Sequence, residues 1–218
     1  LDDLTVAAEY TRHDLLSGGV DSEDLDFNPL LIRTLSGDAY SFQIWFDREV
    51  LTESFEIVDG VHLAAADYRG TEFAFAYQAS DNRPAFGDFA IAYGDYYDGS
   101  AFKAGGSISW RPTRHLQFDL SGGLTSAKLP AGDFDVRTGS LGARLTPTTR
   151  LSFNSIVQYD NQSQQIGTNN RLRYILKSGS DLFLVFNNGY HKGENQEFDR
   201  FRSFKTESIV KLNWTFQF

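Results

Sequence analysis

Apolar and polar residues alternate along almost the whole chain. Between Ala39 and Asp47, Tyr40, Phe42, Ile44 and Phe46 fall in one set, and Ser41, Gln43, Trp45 and Asp47 in the other. Side chains two apart in a strand share a face, so this segment reads as a strand with one greasy and one wet face. The same reading fits Leu4, Val6, Ala8 and Tyr10, then Phe73, Phe75 and Tyr77, then Phe89, Ile91 and Tyr93. It continues through Leu116 to Leu120, Leu141 to Leu145, Leu151 to Tyr159 and Leu172 to Leu176. The last segment sets Val210, Leu212, Trp214, Phe216 and Phe218 against Lys211, Asn213, Thr215 and Gln217. Asp181 to Asn187 is apolar on both faces, and residues 28–35 alternate poorly; a strand there keeps the hairpin count even. No amphipathic helix of useful length appears.

Two kinds of break separate these segments. Ser36 to Asp38, Ser80 to Arg83, Pro112 to Arg114, Pro147 to Thr149 and Ser178 to Ser180 are short and rich in turn formers. The others, near 13–27, 49–64, 128–133, 161–167 and 192–203, are longer and more polar, with a tight turn at Tyr97 to Ser100 as the exception. The two kinds alternate, as they must at opposite ends of an up-and-down meander. Twelve strands are predicted, near 1–12, 28–35, 39–48, 66–79, 85–95, 100–111, 115–127, 134–146, 150–160, 168–177, 181–190 and 204–218. The fold class is therefore all-β. The specific expectation is an up-and-down antiparallel transmembrane β-barrel with short periplasmic turns and longer extracellular loops, forming a single domain over residues 1–218.

Composition sharpens that reading. The chain has 218 residues, 20 basic against 29 acidic, for a net charge of −9, which argues against nucleic acid as a partner. Aromatic residues reach 15%, too many for a disordered chain. No apolar run approaches the roughly 18 residues of a membrane-spanning helix. There is no Cys, so thiolate chemistry and Cys-type zinc sites are excluded, and the residues call for no metal and no cofactor. The absence of Met at the start suggests a mature or trimmed segment of a longer product.

Alternation alone leaves two architectures open. A soluble sandwich or barrel hides the aromatic face, whereas a membrane barrel turns it toward lipid. Three features favour the membrane form. The wet face carries charged and small residues. Aromatics gather toward both strand ends, with Tyr10, Phe46, Tyr93 and Tyr159 at one end and Tyr40, Tyr77, Trp110 and Trp214 at the other. The chain also ends on Trp214, Phe216 and Phe218, which resembles the C-terminal signature by which outer-membrane barrels are recognised for assembly. The implied surroundings are the bacterial outer membrane and its lipid, and the implied partners are the barrel assembly machinery and other outer-membrane subunits.

Several motifs extend this. Gly94-Asp95-Tyr96-Tyr97-Asp98-Gly99, Trp110-Arg111-Pro112 and Leu129-Pro130-Ala131-Gly132-Asp133-Phe134 occur in this order. Val157-Gln158-Tyr159-Asp160, the run Asn170 to Ile175 and the run Ser178 to Asn187 follow. Together they resemble the C-terminal barrel of bacterial outer-membrane proteins of unknown function. In that family the barrel usually follows a periplasmic module similar to family-nine carbohydrate-binding domains. The resemblance covers the part of the chain from about residue 84 and implies location, fold and a link to glycans, but no transferable activity. The carbohydrate-binding-like module itself is not in this sequence.

The wet face supplies the candidate site residues. Glu9, Asp47, Glu72, Asp88 and Asp119 come from the first seven predicted strands. Arg144, Arg171, Arg173, Lys177, Lys205 and Lys211 come from the last five, and Lys103, Arg111 and Glu207 break the pattern. Facing one another in a lumen, the two sets either pair and rigidify the wall or form a constriction whose field orients polar solutes. Twelve tilted strands give a diameter of roughly 24 Å and, after side chains, a bore of about 10 Å, enough for a small sugar if it is unobstructed. Catalysis has little support. His13, His62 and His191 lie near the longer breaks with Asp14, Asp59 and Glu194 close in sequence, and His115 lies at a tight turn. Asp21, Glu23, Asp24 and Asp26 read as a solvated acidic loop, without the glycine and terminal glutamate of a calcium loop. The leading expectation is a pore, or an anchor and conduit, for small polar solutes such as sugars. A plugged structural subunit of an outer-membrane assembly is the alternative, and an outer-membrane hydrolase a distant third.

Overall fold

A computed structural model of the chain describes residues 1–192 and 201–216. The described residues are all-β. The strands are β1 (Asp3–Asp14), β2 (Val20–Arg33), β3 (Ala39–Val50), β4 (Phe55–Val58), β5 (Val61–Leu63), β6 (Asp67–Gln78) and β7 (Ala85–Tyr96). They continue as β8 (Gly99–Thr113), β9 (Leu116–Lys128), β10 (Phe134–Leu145), β11 (Leu151–Asp160), β12 (Gln165–Lys177), β13 (Ser180–Lys192) and β14 (Phe201–Asn213). Twelve of them form one up-and-down sheet in chain order, and β4 pairs only with β5. No helix of the described residues is long and apolar enough to cross a membrane, which says nothing of strands.

Three boundaries differ from the sequence expectation. β2 begins at Val20, so the predicted break 13–27 contracts to Leu15–Gly19, and the four acidic residues lie on a strand. The break 49–64 contains the β4–β5 hairpin, turned at Asp59-Gly60 with Gly60 at φ 78°. The last strand starts at Phe201 and ends at Asn213, short of Trp214 and Phe216; Phe218 lies outside the described residues.

The chain forms two compact units. The first comprises Leu1–Arg83, Gly87–Gly106 and Gly123–Val136, and the second Pro84–Phe86, Ser107–Gly122 and the chain from Arg137 onward. In the first unit, cross-strand register places Glu9 opposite Asp26, Asp26 opposite Trp45, and Trp45 opposite Glu72. One face therefore collects the wet set, and the other the row Tyr10, Leu25, Phe46.

Burial of the two faces is the reverse of that in a soluble protein. On β6, Phe73 and Phe75 are 49% and 37% exposed, whereas Glu72 and Ala74 retain 3% and 4%. Tyr93 and Ile91 on β7 are exposed while Ala92 between them is buried. The exposed rings still touch one another along the sheet: Tyr40 and Tyr77 stand 4.9 Å apart, and Tyr77 and Phe89 5.7 Å. Such contacts fix ring orientation but leave the apolar surface open. Gly94, directly opposite Glu72, permits the tight approach of β6 and β7, since a Cβ there would strike the backbone of Thr71 and Glu72.

The conventional apolar core of this unit is small and lies beside the hairpin. Val61, Leu63 and Leu129 are buried together, with Ile57, Val58, Tyr96, Tyr97 and Phe134 packed around them. At the opposite strand ends, two tight turns are tied together. Asp38 accepts from the backbone N–H of Ser80 at 2.9 Å and pairs with Arg83 at 2.7 Å.

In the second unit Leu141, Val210 and Leu212 are exposed in the same manner. The two-sided apolarity of β13 has a local cause. Phe183 turns to the wet face, where it is buried beneath Arg171 and Arg173, whose guanidinium carbons lie 4.7 and 5.6 Å from its ring. An aromatic face attracts such cations, so the inward ring is part of the polar wall.

Candidate functional site

The densest polar constellation lies on the wet face of the first unit. Strand register sets Thr11 opposite Asp24 and Asp24 opposite Asp47, with Glu49 two residues along β3 from Asp47. β6 supplies Tyr68 and Glu72 at even spacing, so both share that face. Tyr96 ends β7, Tyr97 follows in the turn, and Lys103 comes from β8. All of these but Thr11, together with Arg48, Arg69 and Asp95, line a cavity of about 360 Å3.

Two aromatic contacts shape one wall of it. The Tyr68 and Tyr97 rings meet edge to face at 5.2 Å, and Tyr96 and Tyr97 at 5.0 Å. Tyr68 donates its hydroxyl to the carbonyl of Ala64 at 2.8 Å, beside the hairpin. Tyr97 adopts φ 52°, an uncommon conformation for a residue with a Cβ. Burial, reinforced by the nearby Glu49 carboxylate, pushes the Tyr97 hydroxyl above its ordinary range, which keeps it neutral.

The ammonium in the cavity pairs with a carboxylate and lies over a ring. Lys103 Nζ lies 2.7 Å from Glu72 Oε2 and 5.2 Å from the centre of the Tyr96 ring. Arg48, next to Asp47 in sequence, borders the same cavity and alternates to the other face of β3. It pairs there with Glu23 and Asp67, both at 2.8 Å, and Arg12 joins Glu23 at 3.0 Å. Tyr10 also donates to Glu23, at 3.2 Å. This ladder lies beyond the row Tyr10, Leu25, Phe46.

The expected site residues divide between the units. Glu9, Asp47, Glu72 and Asp88 share the wet face of the first, Asp88 standing opposite Gln78 at its tight-turn end. Of these, Glu72 pairs with Lys103. In the second unit Asp119 accepts from Ser109 Oγ at 2.5 Å and from Gln117 Nε2 at 2.7 Å. Arg111 lies over the Phe86 ring at 4.4 Å and donates to Gln117. Arg144 donates to Asn154, Arg173 pairs with Asp181 at 3.1 Å, and Glu207 accepts from Asn187. Lys205 stands opposite Gly189, and Lys211 opposite Phe183.

Lys177 corrects the expectation. A bulge between Ile175 and Lys177 shifts the register so that Lys177 pairs with Ser180, in the row of Leu182. Its ammonium lies 4.4 Å from the Trp214 ring instead of among the wet-face cations. The acidic loop is corrected as well: Asp24 and Asp26 belong to the wet wall, and Glu23 to the opposite face. Sequence reasoning also passed over Tyr68, Tyr96 and Tyr97 as wall residues. The Asp-Gly pair between apolar residues at 57–61 was the available signal for the hairpin that holds them.

Among the described residues, the histidines form no reaction centre with the carboxylates beside them in sequence. Asp14 accepts from Arg12 at 2.9 Å, His62 stands 3.8 Å from Glu56, and His115 accepts from Arg114 and contacts the carbonyl of Thr146. Glu194, proposed near His191, lies outside the described residues. Among the described residues no group of three or more His, Cys, Asp or Glu is placed to hold a metal ion.

Neither a protein-family model nor a curated protein sequence matches the chain. A solved structure described as "KdgM porin in complex with disordered oligogalacturonate" is similar at a TM-score of 0.37 and 14% identity, covering 97% of this chain and 100% of that one.

Proposed function

We propose that this chain is a bacterial outer-membrane β-barrel whose wet wall lines a passage for small polar solutes such as sugars. The observation that carries the reading is the reversed burial on β6: large rings exposed, a glutamate and an alanine hidden. Leaving Leu4, Phe73, Ile91, Tyr93, Val210 and Leu212 in water is unfavourable by about 25 cal/mol for each Å2 of apolar surface. A bilayer removes that cost, and a water-filled interior solvates the carboxylates and guanidinium groups. Exposed aromatics at both ends of the apolar rows, such as Tyr10 and Tyr93 at one and Tyr40 and Trp110 at the other, suit the two membrane interfaces. The C-terminal aromatic pattern and the family resemblance of the later strands agree with this location.

The test is reconstitution. The chain refolded in detergent and added to a planar bilayer is expected to give discrete conductance steps. A protein that inserts but stays electrically silent would contradict the passage. It would favour the second reading, a plugged structural barrel, for which the packed β4–β5 hairpin is the supporting observation.

A further inference from the structure

We propose that the basic wall around Phe183 in the second unit binds the oxyanion of an acidic solute, a carboxylated or phosphorylated sugar. The proposal rests on the passage reading and deepens it by naming the charge of the solute.

The wall is built on a ring placed where the strand pattern calls for a polar residue. Register sets Ser152 opposite Arg173, Arg173 opposite Phe183, and Phe183 opposite Lys211, all on the wet face. Arg171 stands two residues before Arg173 on β12 and shares that face. Phe183 is buried beneath the two guanidinium groups, whose carbons lie 4.7 and 5.6 Å from its centre. A ring holds a guanidinium through its face and takes none of the in-plane N–H donors. Two long side chains are thereby ordered with their forks still available. A carboxylate at position 183 would order them only by consuming those donors.

The cations of this wall also outnumber the acids that answer them. Arg173 gives Nε and Nη2 to Asp181. Among the described residues Arg171 and Lys211 form no ion pair with a carboxylate. The other wet-face acids are engaged elsewhere, Asp119 by Ser109 and Gln117 and Glu207 by Asn187. In the neighbouring row Asn154 stands between Arg144 and Arg171, where an aspartate would bridge both. It accepts from Arg144 at 3.3 Å and adds no charge. Like charges gathered on one face disfavour the sheet, and an arriving anion relieves that cost. The guanidinium fork matches the paired oxygens of a carboxylate or a phosphate, which sets the class of anion. Ser152 and Asn154 beside the forks offer a hydroxyl and an amide to the hydroxyls of a sugar.

The experiment is calorimetric titration of the full chain in detergent, at neutral pH and low salt, with glucuronate, glucose 6-phosphate and glucose as probes. At least one of the two acids is expected to bind about tenfold or more tighter than glucose, and which one does so tells a carboxylate site from a phosphate site. Arg171→Gln is expected to weaken binding of that acid about tenfold, and Lys211→Gln, the second variant, to weaken it in the same direction. Lys177→Gln removes an equal charge from the other face and is expected to leave the affinity unchanged. Neither acid binding more tightly than glucose would overturn the proposal. So would parent affinity in folded Arg171→Gln and Lys211→Gln proteins, or a loss in Lys177→Gln as large as in Arg171→Gln, which would show attraction by overall charge alone. Titration reads binding whether or not the protein conducts, so a silent bilayer sinks the passage reading alone, and failed acid binding with normal conductance sinks this one alone.

Discussion

At the scale of single residues, charge placement separates function from architecture. Asp38 is an architectural acid. Hydrogen bonding from Arg83, and then from the Ser80 backbone, holds its carboxyl at about 2, below the ordinary 3.8. A carboxylate held low in the folded state stabilises above its unfolded value, and the effect is lost as pH falls through the folded one. The melting temperature of Asp38→Ala should therefore lie below that of the parent at neutral pH. The gap should close between about pH 4 and pH 2, as thermal unfolding followed by circular dichroism across that range would show. Asp24 and Asp47 stand directly opposite each other on β2 and β3, a like-charge pairing that disfavours the sheet. Gly94 marks a third kind of constraint. Gly94→Ala drives a methyl into the backbone of β6, so strand pairing beside Glu72 should loosen and amide exchange there should accelerate.

At the scale of elements, the hairpin behaves as a small folded body set within a loop. Leu63 is 1% exposed, and its burial against Val61 and Leu129 is what orders β4 and β5. Leu63→Ala should cost about 2–5 kcal/mol locally. Hydrogen exchange should rise across residues 55–63 and around Tyr97 while β3 and β6 stay protected. Equal loss of protection throughout the first unit would show that the hairpin is not a separate body. The strands themselves were largely legible from period-two alternation, because their apolar faces repeat Phe, Tyr, Leu and Ile at every second position. The early part of β2 was not. From Asp21 to Asp26 both faces are polar apart from Leu25, one wall acidic and the other part of the Arg12–Glu23–Arg48 ladder, so hydrophobic contrast vanishes while the hydrogen-bonded ladder continues. Bulges were equally invisible: the one before Lys177 moves that side chain from one row to the other without any mark in its hydropathy. The tyrosine wall escaped notice because Tyr96 and Tyr97 read as turn residues until the packed hairpin gave them neighbours.

At the scale of the whole molecule, the account rests on which medium each face of the strands meets. Alternation establishes that the faces differ, and the burial pattern reverses the order found in water-soluble sheets. The absence of cysteine makes this open to direct labelling, since each engineered thiol is unique in the chain. The most direct measurement is nitroxide scanning of the lipid-reconstituted protein at positions 73, 74, 75, 91 and 92, comparing collisions with oxygen, which concentrates in hydrocarbon, and with a water-soluble nickel chelate. Labels at Phe73, Phe75 and Ile91 are predicted to meet oxygen and escape nickel, and labels at Ala74 and Ala92 to show no such preference for oxygen. Oxygen accessibility that fails to alternate along β6, or that is highest at Ala74 and Ala92, would contradict the account.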